Sequence, residues 1–274
     1  MLRGAGNAVA VPDVPHGTHS NQIQGLFMKR FLALLGALLI VLVAGCGQQQ
    51  SASEIRIAVT PASPPNLFEE NGKMAGIDLD LFNGFCKKAG CTPVFTAYDW
   101  QGMLGAVVGG QADIAFSGIS ITDKRKEVMD FSKPYMENTW NLVSMQARGI
   151  TIASLDDLKQ YSIGYPRGMA YSDFIKNELE PKGIYTLDKV KLYPSYNEVL
   201  ADLQNGNLDL AFLDGTVAAV HRKKLPITDS WVFSGFDRFG FAFPKDSKLR
   251  ADFDAYLESL PPAELQAIID RWLK

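Results

Sequence analysis

Histidine and cysteine are scarce in this chain, with three of each in 274 residues. His16, His19 and Cys46 lie near the start, which leaves His221, Cys86 and Cys91 for the body of the chain. No metal-ligand spacing and no Ser/His/Asp arrangement can be built from that set, so nothing in the sequence calls for a metal or a cofactor. Cationic excess is also missing: 27 Lys and Arg face 30 Asp and Glu, a formal charge of −3. Leaving out residues 1–45 removes three cations and one acid and takes the charge to −5, with no basic stripe for nucleic acid. Long apolar runs are absent too, except for the thirteen residues Phe31 to Val43, which are too few to span a bilayer. What is present is a composition 47% apolar and 21% charged, enough to bury one large core or two medium ones.

Lys29-Arg30 precede that apolar run, and Val43-Ala44-Gly45-Cys46 ends it. Basic, then apolar, then small is the order of a secretory signal. The V-A-G-C ending resembles a bacterial lipobox. That implies a lipid-modified Cys46, a signal peptide over 28–45 starting at Met28, and an upstream extension over 1–27. Residues 46–53 then form a polar tether. The expected address is export, with a lipid anchor in a membrane and the body facing the periplasm or the cell exterior. In that setting Cys86 and Cys91 are either a local disulfide or two buried thiols, and the spacing leaves both open.

Downstream, Ile55 to Val59 reads as a strand, Gly76 to Gly90 as an amphipathic helix and Pro93 to Phe95 as a second strand, an alternation that argues an α/β layer. An internal echo appears at an offset of 96 residues. Trp100-Gln101-Gly102-Met103-Leu104 through Ala112-Asp113-Ile114-Ala115-Phe116 aligns with Tyr196-Asn197-Glu198-Val199-Leu200 through Leu208-Asp209-Leu210-Ala211-Phe212. Each copy reads as aromatic, helix, glycine break, strand, so the period suits two lobes of similar build, each aiming a strand end at a common place. The first copy runs into Ser117-Gly118-Ile119-Ser120-Ile121-Thr122-Asp123-Lys124-Arg125. Small residues there precede a helix capped by Thr122, a candidate anion cradle of backbone N–H groups with Arg125 one turn in. The second copy ends in Leu213-Asp214-Gly215. Thr139 to Met145 reads as an extended crossover, Gly235 to Phe243 as a late strand, and the chain closes with two helices split at Pro261-Pro262.

Gly76-Ile77-Asp78-Leu79-Asp80-Leu81, the S-I-T-D-K-R run ending at Arg125, Asp130-Phe131-Ser132 with Pro134-Tyr135, and Leu208-Asp209-Leu210-Ala211 together resemble the bacterial polar amino-acid-binding proteins of ABC importers, solute-binding protein family 3. The likeness is to lysine/arginine/ornithine- and glutamine-binding proteins and covers Glu54 to Lys274. It implies a two-lobed, two-crossover α/β fold of the periplasmic-binding-protein kind (type II) that closes on a ligand in the cleft. Lobe 1 would comprise 54–138 and 234–274, and lobe 2 would comprise 139–233. By the resemblance, Arg125 clamps the ligand carboxylate with Ser117, Gly118 and Ser120 around it, Asp214 pairs with the α-ammonium, and Trp100 stacks on the ligand. Two departures stand out. Met169 and Ala170 follow Gly168 where the family carries hydroxyls, leaving only backbone N–H groups. Ser63 stands where basic-amino-acid binders place an aromatic, which argues for a polar or neutral ligand.

The expected function is therefore a lipid-anchored, monomeric receptor that captures a polar or neutral α-amino acid and delivers it to an ABC permease and its ATPase. The alternative is an enzyme of the cyclohexadienyl dehydratase kind on the same fold, but Asp214-Gly215-Thr216-Val217-Ala218 lacks the glutamate such an enzyme uses. Arg167 and Arg238 read as surface charge, and His221 as a solvated helix end.

Overall fold

The computed structural model describes residues 53–274. The upstream extension, the signal peptide, Cys46 and most of the tether lie outside the described residues. The chain begins with β1 (Glu54–Val59), followed by a small antiparallel sheet of β2 (Ala62–Ser63), β3 (Leu67–Glu70) and β4 (Lys73–Ala75). In α1 (Ile77–Ala89), Ile77, Leu81 and Phe85 recur four residues apart beside Asp78 and Phe82, which gives one buried stripe. Asp78 and Asp80 in its first turn and Lys87 and Lys88 in its last suit the helix dipole. Cys86 and Cys91 form a disulfide, which settles the open alternative and staples the end of α1 to the start of β5 (Thr92–Ala97).

Asp99 caps α2 (Trp100–Val108) by accepting the Gly102 N–H at 2.6 Å. Next come β6 (Ile114–Ser120), the single turn α3 (Asp123–Lys126) capped by Thr122, β7 (Asp130–Phe131) and β8 (Met136–Met145). The second lobe supplies β9 (Ile163–Pro166), α4 (Tyr171–Phe174), β10 (Val190–Tyr193), α5 (Tyr196–Gln204), β11 (Leu210–Asp214) and α6 (Gly215–Arg222). The long β12 (Ile227–Phe243) returns to the first lobe, which α7 (Lys248–Ser259) and α8 (Pro262–Leu273) complete.

The main sheet runs β10-β9-β11-β8-β12-β6-β1-β5. Its ends are two parallel blocks, β5-β1-β6 and β11-β9-β10, joined in the middle by β8 and β12, which pair antiparallel to each other and to their flanking strands. Every residue of β6 and β11 is buried, as expected of strands covered on both faces. The expected late strand starts earlier than read, at Ile227 rather than Gly235. Its polar first half pairs with β8 over Met145 to Trp140, and a register shift between Phe233 and Asp237 separates that stretch from the rest. The expected lobe boundaries, 138/139 and 233/234, thus fall inside two strands that both lobes share.

Apolar packing forms two clusters, one confined to the first lobe and one that spans both. One cluster gathers Phe82, Phe85, Phe116, Phe239, Phe241, Phe243 and Phe253, and another gathers Trp140, Tyr165, Tyr171, Phe212 and Phe233 and extends to Trp100 and Met103.

Two glycines allow close approaches, one within the first lobe and one between the lobes. Gly118, at φ 70°, lies so near Asn66 that a Cβ would come within 2.4 Å of the Asn66 amide nitrogen. Gly168, at φ 84°, sits against α2, where a Cβ would meet Gln101 at 2.8 Å and Trp100 at 3.1 Å. Gly118→Ala therefore incurs both a left-handed backbone and a clash inside the seam, and is expected to cost about 2 kcal/mol or more. Thermal denaturation should show a fall of at least about 4 °C, whereas Gly110→Ala, at a similar φ with nothing near its Cβ position, should fall less.

Candidate functional site

The Thr122 hydroxyl accepts the Arg125 N–H at 3.2 Å, which starts α3 where the Arg125 side chain turns into the seam between the lobes. Arg125 is 8% exposed. Its Nη1 donates to the Ser120 carbonyl at 2.8 Å and its Nη2 to the Gly168 carbonyl of the other lobe at 3.2 Å, and its guanidinium carbon lies 5.8 Å from the centre of the Trp100 ring. Burial pulls the guanidinium below its ordinary pKa, while Asp237, Asp214 and Asp173 push back, so it remains a cation.

Asp214, 2% exposed, ends β11 but makes no cap bond to α6. Its carboxylate instead accepts Tyr171 Oη at 2.8 Å, Tyr196 Oη at 2.9 Å and Asn138 Nδ2 at 3.0 Å. Burial, then repulsion from Asp237, pushes it up to about 7 against those three donors. Asp237, on β12 just past its register shift, is 4% exposed. One of its oxygens takes Asn138 Nδ2 at 2.6 Å, Trp140 Nε1 at 2.7 Å and Ser120 Oγ at 3.2 Å, and burial again raises its pKa.

The seam is closed. Its cavity, lined by Thr60, Ala62, Ser63 and Trp100 on one side and Pro166, Met169, Pro194, Ser195 and Tyr196 on the other, holds about 20 Å³, about one water. Lys124 pairs with Asp173 at 2.7 Å across the rim, and Asn66 Nδ2 donates to Thr216 Oγ1 at 3.2 Å deeper in. The seam also contains buried polar atoms without partners among the described residues: Trp100 Nε1, Asn66 Oδ1 and Asn138 Oδ1.

Of the residues read from the sequence, Trp100, Ser63 and Met169 line the small cavity, while Arg125, Asp214 and Ser120 are buried beside it in one hydrogen-bonded and charged cluster with Asp237 and Asn138. The expected backbone cradle does not form. Gly118 donates its N–H to Asp78 at 2.7 Å, Ile121 to the Arg238 carbonyl at 2.9 Å and Arg125 to Thr122, so these three N–H groups are taken within the protein and the guanidinium is left as a donor group facing the seam. Ser117 is turned away, accepting the Thr60 N–H at 2.9 Å and donating to the Phe116 carbonyl, and Ala170 opens α4 without lining the cavity. Arg167 and Arg238 are exposed, as read. His221 is not a solvated end: it is half-buried at a groove between β3 and α6, its Nε2 unpartnered, and burial lowers its pKa. Asn138, Trp140 and Asp237 escaped the sequence reading; the one available signal was a carboxylate inside the aromatic run Phe233 to Phe243.

A two-lobed α/β protein with paired hinge strands, and a buried cation facing carboxylates across the seam, defines a hinged trap for a small ligand bearing both charges. The chain belongs to the bacterial extracellular solute-binding proteins, family 3, whose model matches residues 55–274. The arginine-binding periplasmic protein of Mannheimia haemolytica is 30% identical over 247 residues, 86% of this chain and 97% of that protein. A solved structure of an ancestral arginine-binding protein bound to arginine superimposes with a TM-score of 0.72 at 29% identity, covering 81% of this chain and 99% of that one. Another, bound to glutamine, gives 0.70 at 29% identity, covering 80% and 97%.

Asp78, buried and bonded by Gly118 and Tyr135, is pushed up to about 7 as Asp214 is, in both cases chiefly by burial. A carboxyl that ionises near 3.8 in the unfolded chain and near 7 when folded holds its proton more tightly in the native protein. Its stabilisation is complete below about pH 4 and is lost as pH rises through about 7. The melting temperature should therefore fall between pH 5 and pH 8, and Asp78→Asn should flatten that slope; an unchanged slope in the variant would show that Asp78 is ionised throughout.

Proposed function

We propose that the chain captures an α-amino acid between its lobes and passes it to the permease and ATPase of an ABC importer, with Arg125 taking the α-carboxylate and Asp214 the α-ammonium. One observation carries this reading: Arg125 is buried, yet both its side-chain hydrogen bonds go to backbone carbonyls and no carboxylate lies within 4.0 Å of it among the described residues. A buried guanidinium in that position keeps its bidentate capacity for an anionic ligand group. Trp100, Met169 and Ser63 then wall the ligand side chain, and the hinge lets binding and closure reinforce each other.

The charge of the seam favours a cationic amino acid. Asp214 and Asp237 together outnumber Arg125, so a zwitterion leaves one uncompensated negative charge and a basic amino acid leaves none. The relatives named for arginine point the same way. A neutral polar ligand is the second reading. Ser63 and Thr60 line the side-chain space beside Trp100, with no carboxylate in that lining, and a relative named for arginine also holds glutamine. Export with a lipid anchor at Cys46 and action as a monomer complete the proposal, on the strength of the sequence around Val43-Ala44-Gly45-Cys46.

A thermal-shift panel of the twenty amino acids and ornithine tests the reading. At a hundredfold excess over Kd the ligand should add about 2.7 kcal/mol, a rise of roughly 5–10 °C. Arginine, lysine or ornithine should lead the ranking, and glutamine leading would favour the neutral reading. Arg125→Ala should abolish the shift while the protein remains folded by circular dichroism; undiminished affinity would remove Arg125 from the site. Cys46→Ser, expressed with its signal, should move the protein from the membrane fraction to the soluble one.

A further inference from the structure

Asp214 closes a ring of oxygens. Tyr171 Oη lies 2.8 Å from its Oδ1, Tyr196 Oη lies 2.9 Å from its Oδ2, and the two phenol oxygens lie 2.9 Å from each other. These are three hydrogen-bond contacts among four oxygens, and each needs one proton. The phenols bring two. If Asp214 is ionised, both hydroxyls turn to the carboxylate and the two phenol oxygens face each other at hydrogen-bond distance with no proton between them, a repulsive contact in a buried place. A third proton, on the carboxyl, completes the ring: Asp214 donates to one phenol, that phenol to the other, and the second phenol back to the carbonyl oxygen of the acid.

We infer that in the closed arrangement of the lobes Asp214 is protonated, and that capture of the ligand ammonium releases this proton, with Tyr171 and Tyr196 as the positioning residues that couple the two events. The inference rests on the reading of Asp214 as the ammonium partner. The step balances: a neutral carboxyl and an R–NH₃⁺ group become a carboxylate paired with the same R–NH₃⁺, and one H⁺ goes to solvent. The ammonium keeps its protons and supplies the donor the ring otherwise lacks.

The other groups around the carboxylate set the balance. Tyr171 comes from α4, Tyr196 from α5 and Asn138 from β8, whose Nδ2 is shared with Asp237 of β12, while Arg125 of α3 supplies the nearby cation. All of them are buried, and two phenol oxygens 2.9 Å apart leave no room for a water between them. Burial and the nearby Asp237 carboxylate push Asp214 up to about 7, in agreement with the proton count. Linkage then makes ligand affinity rise with pH, about tenfold from pH 6 to pH 8 for a group titrating near 7.

The test has two arms. In the protein without added amino acid, labelled with carboxyl-¹³C aspartate, infrared spectra across pH 5 to 9 should show a protonated carboxyl band that disappears near neutrality and is absent in Asp214→Asn. The band should change frequency in Tyr171→Phe and Tyr196→Phe, whereas Asp78, on the other side of Gly118, should be unaffected. An Asp214 carboxylate ionised down to pH 5 would overturn the inference and leave the amino-acid reading intact. Calorimetry with L-arginine, and with L-glutamine in parallel, in buffers of different ionisation heat should show close to one proton released per ligand at pH 6 and close to none at pH 8.5. A protonated Asp214 in the infrared arm, combined with ligand binding that releases no proton, would instead show that Asp214 does not receive the ammonium.

Discussion

A guanidinium taken out of water is the constraint around which this protein is arranged. Arg125 cannot shed its charge, and desolvation of an ion costs several kcal/mol unless the surroundings replace the lost hydration. The replacements come from different parts of the chain: the Ser120 carbonyl at the end of β6, the Gly168 carbonyl of the other lobe, the face of Trp100, and the nearby charges of Asp237 and Asp214. With the lobes together, these groups stand in for the water the cation has lost. Closure and electrostatics are one problem here, because one of the carbonyls that satisfy Arg125 belongs to the other lobe.

The carboxylates are subject to the opposite limit. Asp237 lies close enough to raise the proton affinity of Asp214, burial raises that of Asp237, and Asn138 donates its amide nitrogen to both. Asn138 stands on β8, paired with Asp237 on β12, so the bridging donor and one of its acceptors ride on the two strands that join the lobes. The two carboxylates are thereby tied to the paired strands through a single amide, with no further side chain between them.

Much of this was legible before any coordinates. The two echo strands announced themselves as short apolar runs bounded by glycine and became β6 and β11, with β8 and β12 between them in the sheet; Arg125 and Asp214 stand out at or just past their ends, and their roles come from the family resemblance. Asp237 and Asn138 were not, for a physical reason: β8 and β12 interleave polar and apolar residues, and the shift between Phe233 and Asp237 resets which face each side chain takes, so alternation alone misassigns them. The backbone cradle misled in a different way. Gly118 has the conformation and the free donor that an anion site needs, but Asp78, forty residues earlier, takes that donor, and pairing at such range leaves no local mark in sequence. Ser117 shows the same thing on a smaller scale, its hydroxyl spent on bracing Thr60.

The disulfide lies at the opposite end of α1 from the carboxyl that holds Gly118. Asp78, in the first turn, holds Gly118, and Cys86 follows eight residues later, about 12 Å along the helix axis. That length of rigid helix separates the two. A reductant acting on the Cys86–Cys91 link therefore acts about 12 Å from the end of α1 that holds Gly118.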